Sequence, residues 1–520
     1  MKSVAIIGAG IAGLAAGTYL QSSGFDVTIY EQHLIPGGLS TSWSRKGYLF
    51  EGGMHWLTGS SPKLALNKVW KEVGALKENN PIYNRDPIYT LIRGQKQLRL
   101  FRDVEKLREE FLAWSPEDRP AINRLCSHIK KFRNVHLLVN DVPGLKTKSH
   151  TRASLKELLA MVPAGIPTLL LSKKSYIDYV AQFKNEDIRH LLLAVIGTRY
   201  NALSFVYTLG SFASGDSGYP EGGSLRLTQN MADTFTSLGG KIVYRAKVEK
   251  VAEKNGKACG IYLSKKNSSS SNTPSSLNTT SDNFNNSDTG EFVPAEYILV
   301  SQDTRSAIEN LFENPPKDAW ISKMKKIVKT EQNMFVCLGI KANLSNYPRC
   351  FVLPLEKEFF AAGLSFGELR INNYAEYKNH SPENCTSLTC LLLGDSYKWW
   401  KEKKERGTYK EEKDKLVKNF TEVVEKYVPE VKGNVEVTDI ATPLTYERYC
   451  SSFEGSWMSV WDTEASMFTF PAKCTSISNL YFAGERMMMP GGLPIAVWSG
   501  RRAAQTICKD SGTIFTPPNV

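Results

Sequence analysis

The sequence has few of the features that mark secreted, metal-binding or membrane-spanning proteins. Its nine cysteines are an odd number and form no C-x-x-C pair, and its seven histidines are scattered. Neither a disulfide framework nor a zinc site is therefore predicted, because both need partners at suitable spacings. No uninterrupted apolar run is long enough to cross a bilayer. These absences favour a reducing compartment, and we expect a cytoplasmic protein without a bound metal.

The rest of the composition predicts a large core. The 520 residues are 42% hydrophobic and 23% charged, which is typical of a soluble protein with two or three domain-sized units. The formal net charge is +12, but lysines are mixed with acids, as in residues 398–428, which is typical of a solvated amphipathic helix. We therefore expect no nucleic-acid partner, whereas a basic surface is compatible with anionic lipid headgroups.

The first twenty residues, MKSVAIIGAGIAGLAAGTYL, have two interpretations. A lysine before an apolar, small-residue run is typical of a signal peptide, and glycines spaced G-x-G-x-x-G are typical of a nucleotide-binding turn. The second is favoured, since VAIIGAG predicts a buried strand, IAGLAAGTYLQSSG a helix, and FDVTIYE a strand ending at Glu31. Gly8 then permits the turn, Gly10 admits a diphosphate, and Gly13 lets the helix pack on the strand. The helix N-terminus offers N–H groups to phosphates, and Glu31 would bind a ribose.

Two further glycine-rich segments are predicted to approach the same ligand. Each brings backbone N–H groups close to a phosphate or ring, and a helix start directed at a ligand stabilises negative charge there. The first is Gly37, Gly38, Leu39, Ser40 and Thr41; the second is a strand at 480–483 followed by Gly484, Glu485 and a helix that starts near Pro494.

The middle of the chain is less regular. Residues 264–291 are rich in Ser, Asn and Thr, which predicts a flexible loop between two strands. Residues 80–215 have a mostly helical pattern, and their most apolar part is 155–183, which Pro163, Gly165 and Pro167 interrupt. We interpret that part as two core helices around a turn; the alternative is an apolar surface for lipid or a lipophilic substrate, flanked by Lys173 and Lys174.

Several segments, in chain order, resemble the landmarks of one family. They are the G-x-G-x-x-G unit ending at Glu31, the segment 37–41, GYLFEGGMHW, YPEGGSLRL, TPLTYERY with EGS, and YFAGERMMMPGGLPIAVWSGR. Together they resemble the phytoene desaturase, carotenoid isomerase and retinol saturase branch of the amine-oxidase-type FAD-dependent oxidoreductases. The resemblance implies an α/β fold, with a discontinuous doubly wound, Rossmann-like FAD-binding domain and an inserted α+β substrate domain. The implied bounds are 1–78, 216–310 and 440–520 for the first domain, and 79–215 and 311–439 for the second.

The same resemblance implies a role for each residue at a matching position. Gly8, Gly10, Ala12 and Gly13 would hold the diphosphate, Glu31 the adenosine ribose, Gly37, Gly38, Leu39 and Ser40 the phosphates and ribityl chain, Val248 the adenine, Gly484 and Glu485 the ribityl–phosphate end, and Gly492, Leu493 and Pro494 the isoalloxazine. Gly53 and His55 occupy the segment that passes the flavin face. Val248 is also explained as an ordinary strand valine, and His55 as a satisfied polar residue.

The activity implied is that of an FAD-dependent oxidoreductase, a desaturase or saturase of carbon–carbon bonds. Its substrate would be a long apolar polyene or isoprenoid, with hydride passing to or from flavin N5. Since no second G-x-G-x-x-G unit is present, the electron partner is expected to be a quinone, oxygen or diffusible NAD(P)H. His55 is the candidate for moving a proton. Peripheral contact with a membrane is expected to accompany such a substrate.

Three other functions stay open from the sequence. An isomerase would use the flavin to rotate a double bond without net redox change. A flavin amine oxidase would need an aromatic cage near the flavin. A non-catalytic module would bind flavin or lipid without turnover.

Overall fold

A computed structural model describes residues 1–264, 289–465 and 468–519. Most of the loop predicted at 264–291 lies outside these described residues. The strands are β1 (Ser3–Ile7), β2 (Asp26–Tyr30), β3 (Ser42–Arg45), β4 (Tyr48–Glu51), β5 (Ile82–Tyr83), β6 (Tyr89–Arg93), β7 (Lys96–Leu100), β8 (Tyr219–Pro220), β9 (Lys241–Val243), β10 (Val248–Lys254), β11 (Lys257–Ser264), β12 (Thr289–Pro294), β13 (Tyr297–Val300), β14 (Lys329–Glu331), β15 (Asn333–Ile340), β16 (Cys350–Ala361), β17 (Leu364–Asn373), β18 (Thr386–Leu393), β19 (Val435–Ala441), β20 (Met458–Val460) and β21 (Leu480–Phe482).

Helices fill the intervals between these strands. They are α1 (Ile11–Ser22), α2 (Ala65–Glu72), α3 (Val104–Trp114), α4 (Arg119–Phe132), α5 (Leu155–Met161), α6 (Gly165–Leu171), α7 (Tyr176–Val180), α8 (Glu186–Leu193), α9 (Ala202–Ala213), α10 (Gly223–Ser237), α11 (Thr304–Asn310), α12 (Ala319–Ile327), α13 (Tyr397–Glu405), α14 (Tyr409–Tyr427), α15 (Pro443–Cys450) and α16 (Gly492–Ser511). The single amphipathic helix predicted at 398–428 is in fact two, because the chain turns at Gly407 with φ 77°.

A parallel sheet forms the first layer, in the order β21-β13-β1-β2-β9. Its strands come from the beginning, the middle and the end of the described chain, and every neighbouring pair is parallel. The even residues of β1, Val4 and Ile6, pack with α1, α10 and α16 on one face. The odd residues, Ala5 and Ile7, share a core with the β10–β12 sheet on the other face. The predicted α/β class with a discontinuous Rossmann-like unit is confirmed; the exact domain bounds stay a prediction.

A seven-stranded sheet forms the second layer, in the order β19-β15-β18-β17-β16-β6-β7. Its outer face packs against α13 and α14 through residues such as Phe351, Trp400 and Phe420. Its inner face packs against β4 through Phe335 and Phe50. The hairpin β6–β7 belongs to this sheet, so the helical pattern predicted from residue 80 is wrong as far as residue 100. YTLIR is rich in residues that favour strands, and in KQLRL polar and apolar residues alternate after the first position.

The apolar segment 155–183 does not form the two core helices that we expected. Pro163 and Gly165 divide it into α5, a 3-10 turn and α6, as predicted, whereas Pro167 lies inside α6. Most of the large apolar side chains of these helices face solvent. Ile166 is 74% exposed and Leu169 71% exposed, whereas Ala164 and Leu171 are buried against the core. Helix α7 then returns the chain to the interior through Tyr176 and Tyr179.

Within the described ranges, no helix combines the length and the apolar character needed to cross a membrane. All nine cysteines are free thiols. Nor do His, Cys, Asp and Glu side chains of this part of the chain gather in groups that could hold a metal.

Candidate functional site

The carboxyl ends of β1, β13 and β21 lie side by side at one edge of the parallel sheet. Gly8 follows β1 with φ 102°, and a Cβ at this position would lie 3.2 Å from Ser301 Oγ, just after β13. Gly484 follows β21 with φ 152°, and its Cβ position is 3.8 Å from Thr304 Oγ1. Ligands of open parallel sheets bind at this edge, so both glycine turns border one candidate site.

The N-terminal glycines differ in what surrounds them. A Cβ on Gly13 would lie 2.1 Å from the Gly8 carbonyl oxygen, so helix and strand approach closely there. Among the described residues, a Cβ on Gly10 would meet only the Gly37 carbonyl oxygen, at 3.9 Å, and one on Gly38 only the Gly10 Cα, at 3.7 Å. Gly10 and Gly38 therefore face the same open space, while Gly37, with φ 126°, turns the chain and donates its N–H to the Ala9 carbonyl oxygen at 2.9 Å.

Glu31 lies buried at the end of β2, beside this space. Its carboxylate accepts hydrogen bonds from the N–H of Ala9 at 2.7 Å and of His33 at 2.8 Å. Burial raises the pKa of Glu31, and these backbone donors oppose the rise. The Ala246 N–H donates to the Glu31 carbonyl oxygen at 2.8 Å, so Val248, buried at the start of β10, follows a segment that runs beside Glu31.

Ser40 and Gly53 meet behind the glycine pair. The Ser40 hydroxyl and the nearby Ser224 hydroxyl are buried without a hydrogen-bond partner among the described residues. A Cβ on Gly53 would lie 2.7 Å from Ser40 Cα, so this glycine lets the two segments pack closely, and its place beside the flavin face stays a prediction. Leu39 is half-buried and packs beside Trp43 against the inner face of the seven-stranded sheet.

Glu51 is a buried carboxylate that the sequence prediction missed. It accepts hydrogen bonds from the Gly53 and Met54 N–H groups, and from the Ser224 N–H at 2.8 Å and the Tyr219 hydroxyl at 2.9 Å. It thereby ties the Gly53 segment to the start of α10. The motifs GYLFEGG and YPEGGS were both recognised, but no local signal indicated that a side chain of one binds the backbone of the other.

The C-terminal turn contains a third carboxylate, which is partly buried. Glu485 accepts from the Ser459 hydroxyl at 3.1 Å and pairs with Arg486 at 3.2 Å. Burial raises its pKa, and Arg486 opposes the rise. Helix α16 begins at Gly492 with φ 75°. The Gly492 N–H donates to the Glu485 carboxylate at 3.4 Å and Pro494 has no N–H, so Leu493 is the residue of the first three that offers its N–H to a ligand. Leu493 and Pro494 follow on its first turn, half-buried.

The two ends of the described chain are packed together behind the site. A Cβ on Gly500 of α16 would lie 2.4 Å from the Ala12 carbonyl oxygen and 3.0 Å from Ala15 Cβ. The Ala12 side chain is 3% exposed and lies in this helix crossing, so only its backbone N–H, on the first turn of α1, is available to a ligand. The starts of α1 and α16 are thus held in a fixed relation.

His55 lies between two tryptophans near this site. Its ring centroid is 6.3 Å from that of Trp56 and 6.1 Å from that of Trp457. Both ring nitrogens are buried and have no hydrogen-bond partner in the described part of the chain. Burial lowers the pKa of His55 well below its usual value, and the charges of Arg370 and Arg85 lower it further. The imidazole is therefore neutral at pH 7.

Glu331 is a further titratable group that sequence analysis did not select. Burial raises its pKa to about 7, although Arg199 lies 3.7 Å away. Its backbone oxygen accepts a hydrogen bond from the backbone N–H of Trp457 at 2.7 Å, and Trp457 is one of the two tryptophans beside His55. No motif surrounds it, because its burial results from pairing between distant strands.

These features fit a dinucleotide. The space at Gly10 and Gly38 is open enough for a diphosphate, the Ser40 hydroxyl has no partner among the described residues, and the first turn of α1 and Leu493 of α16 offer N–H donors. Residues 6–73 match the model of the NAD(P)-binding Rossmann-like domain family.

Curated relatives align with nearly the whole chain. Prolycopene isomerase 2 of an Oncidium hybrid cultivar is 24% identical over 98% of this chain and 84% of its own. The lycopene-forming phytoene desaturase of Pseudescherichia vulneris is 23% identical over 98% of this chain and 100% of its own. All-trans-retinol 13,14-reductase of Danio rerio is 24% identical over 94% of this chain and 82% of its own.

Solved structures share the fold. An oxidoreductase from Methanosarcina mazei has a TM-score of 0.56 at 18% identity and covers 98% of this chain and 100% of its own. Cyclohexylamine oxidase from Brevibacterium oxydans has a TM-score of 0.56 at 15% identity over 98% and 99%. The chain has the fold of the flavin amine oxidases and, in sequence, is a relative of the phytoene desaturases, prolycopene isomerases and retinol 13,14-reductases.

Proposed function

We propose that the protein is an FAD-dependent oxidoreductase that acts on carbon–carbon bonds of a long apolar polyene or isoprenoid. The observation that carries the proposal is the meeting of two glycine turns, after β1 and β21, at one edge of the parallel sheet. The names of the full-length relatives support the substrate class.

In this proposal, each part of the site holds one part of the cofactor. The α1 turn with Gly10 and Gly38 holds the diphosphate, Glu31 the ribose, and the backbone near Val248 the adenine. The Glu485 segment lies along the ribityl chain, and the start of α16 lies beside the ring. The direction of the α16 dipole favours negative charge at that place.

When bound, FAD would accept or donate the hydride, and the protein must orient the substrate and transfer a proton. Trp56 and Trp457 offer apolar surface beside His55, which excludes water from the reacting carbon. The neutral His55 imidazole has one free lone pair and one free N–H, so it can accept or return a proton at the carbon next to the hydride site.

The proposal is tested with purified protein. A flavin spectrum is expected, and anaerobic incubation with polyenes should change both the spectrum and the product mass. Loss of two hydrogens identifies a desaturase, gain of two hydrogens a saturase, and an unchanged mass with a new double-bond geometry an isomerase. Turnover of amines but not polyenes would indicate an amine oxidase. A yellow protein that reacts with none of these is a binding module, and a preparation that stays colourless in excess FAD refutes the proposal.

His55→Ala tests the proton-transfer role. We expect bound flavin to be retained and turnover to fall about 100-fold or more, the usual range for a general acid–base group. His128→Ala is a matched control, because this half-buried histidine binds the Tyr179 hydroxyl at 2.9 Å, on another part of the structure. Full turnover in His55→Ala would remove His55 from the role.

We also propose that α5 and α6 dock on a membrane that contains anionic lipid and supplies the substrate. Large exposed side chains are concentrated there: Leu155, Leu158, Leu159, Val162, Ile166, Leu169 and Leu170. Lys156, Lys173 and Lys174 are exposed on the same segment and complement negative headgroups. The concentration of apolar side chains together with lysines favours a bilayer over a protein partner.

Liposome flotation tests this surface. Vesicles of phosphatidylcholine with phosphatidylglycerol are expected to carry the protein, and Ile166→Ser combined with Leu169→Ser and Leu170→Ser should abolish flotation. Phe360→Ser is the control, because Phe360 is equally exposed, at 68%, on another surface. Absence of flotation for the wild type, or equal flotation of all variants, contradicts the proposal.

A further inference from the structure

Arg85 carries a buried positive charge that no carboxylate of the described residues matches. It is 8% exposed and lies just before β6. Its Nε donates to the Tyr377 hydroxyl at 2.6 Å, and its guanidinium lies 5.3 Å from the Tyr219 ring centroid and 5.4 Å from that of Tyr377. Its Nη2 has no hydrogen-bond partner in the described ranges.

The other buried arginines of the described chain are compensated. Arg486 pairs with Asp303 and Glu485, and Arg501 pairs with Asp141 at 2.8 Å. For Arg85, the described residues contain no carboxylate oxygen within ion-pair distance. A buried cation without a partner is costly, which indicates that an anion completes the arrangement.

The position of Arg85 connects it to the candidate active site. Tyr83, two residues earlier, pairs with Tyr219 between β5 and β8. The Tyr219 hydroxyl donates to Glu51, and Glu51 in turn accepts from the Gly53 N–H at 3.0 Å. Arg85 therefore lies beside the segment that leads to His55, whose ring nitrogens also have no partner in the part of the chain that the structure describes.

We propose that Arg85 binds a carboxylate at one end of the apolar substrate. The free Nη2 donates to a carboxylate oxygen, and the rings of Tyr219 and Tyr377 exclude water around the charge pair. Arg370, the other cation near His55, donates its Nη1 to the Ala194 carbonyl oxygen at 2.9 Å, whereas Arg85 offers the Nη2 donor, and this single donor favours a carboxylate over a phosphate. The inference rests on the proposed function for the apolar part of the substrate, and it adds that the substrate is a long-chain unsaturated acid and not a pure hydrocarbon.

Binding of a matched pair of probes tests the inference. All-trans-retinoic acid and its methyl ester share the polyene and differ in charge, and their binding is followed by quenching of tryptophan fluorescence. The wild type should bind the acid at least about tenfold more tightly than the ester, as expected for a charge-assisted hydrogen bond in a buried site. Arg85→Met should remove this preference and leave ester binding unchanged, and Arg85→Lys should retain part of it.

Arg349→Met is the control, because Arg349 also lies against the Tyr377 ring but pairs with Glu376. It should keep the preference for the acid. Equal binding of acid and ester by the wild type, binding of neither probe, or an unchanged preference in Arg85→Met would each overturn the inference. The flavin spectrum is recorded on the same samples, so a colourless protein that still prefers the acid refutes the proposed flavin chemistry and not the carboxylate site.

Discussion

At the residue scale, Gly10 and Gly13 of the same motif have different roles, and substitution of each by alanine distinguishes these roles. A Cβ on Gly13 overlaps the Gly8 backbone, so Gly13→Ala should destabilise the fold by about 1–3 kcal/mol or more. A Cβ on Gly10 meets no atom of the described chain closer than 3.9 Å, so Gly10→Ala should keep the melting temperature of the apoprotein and lose FAD binding. Thermal unfolding and flavin content are measured together.

Gly165→Ala is the control for this pair. A Cβ there meets no atom of the described chain within 4 Å and its φ is −57°, so both stability and flavin content should be unchanged. If Gly10→Ala binds FAD as the wild type does, the open space at Gly10 is not the diphosphate site.

The raised pKa of Glu331 predicts that the stability of the fold depends on pH. Because its pKa of about 7 in the folded protein exceeds the ordinary value of 4.5, the folded state holds a proton that the unfolded state releases. Its contribution is present below pH 4.5 and is lost as the pH rises to 7. Glu331→Gln should remove this loss and raise the free energy of unfolding at pH 8 by up to about 3 kcal/mol.

Urea unfolding at pH 5 and pH 8 measures the effect. Glu464→Gln, which removes an exposed carboxylate that pairs with Lys329, is the control and should change the pH dependence little. A Glu331→Gln protein less stable than the wild type at pH 8 would mean that the ion pair with Arg199 outweighs the desolvation of Glu331.

The local glycine motifs could be predicted from sequence, whereas the groups held by distant contacts could not. The N-terminal unit is one continuous strand, turn and helix, so the spacing of Gly8, Gly10 and Gly13 is sufficient to recognise it. Glu51, Arg85 and Glu331 gain their environments from segments more than a hundred residues away. No pattern within a short stretch of sequence indicates these long-range contacts.

At the element scale, β11 and β12 predict that the segment between them can be shortened. The two strands are antiparallel, and Ser264 pairs directly with Thr289. An Asn-Gly turn suits such a pair, so replacing residues 265–288 by Asn-Gly should leave the melting temperature within about 2 °C and the flavin content unchanged. Both are read from one purified sample, and a loss of soluble protein would show that the segment contributes to folding.

Patterns also mislead at this scale when an element is apolar for a reason other than core packing. The apolar composition of 155–171 suggested core helices, but Ile166 and Leu169 are exposed and only Ala164 and Leu171 are buried. Hydrophobicity alone does not say what covers a helix. The hairpin β6–β7 was missed for the opposite reason, since its strands are short and its partner β16 is far along the chain.

At the scale of the whole molecule, cofactor binding should stabilise the fold strongly. The proposed FAD site exists only when β1, β13 and β21 are aligned, so the unfolded chain cannot bind there. Free FAD at about 100 times its dissociation constant should then add about 2.7 kcal/mol and raise the melting temperature. Titration of the apoprotein with FAD during thermal unfolding measures this, and Gly10→Ala should show no rise. A wild-type melting temperature independent of FAD contradicts the site.

The strand order has a consequence for synthesis on the ribosome. Strand β21 pairs with β13, which itself pairs with β1. The early strands of the sheet therefore lack this last neighbour until the long segment between β13 and β21 has been translated. During this delay an apolar edge of the nascent polypeptide is unprotected. Productive maturation therefore depends on holding that edge apart from other chains until β21 has been synthesised, and a chaperone is expected to matter most in the interval between the synthesis of β13 and that of β21.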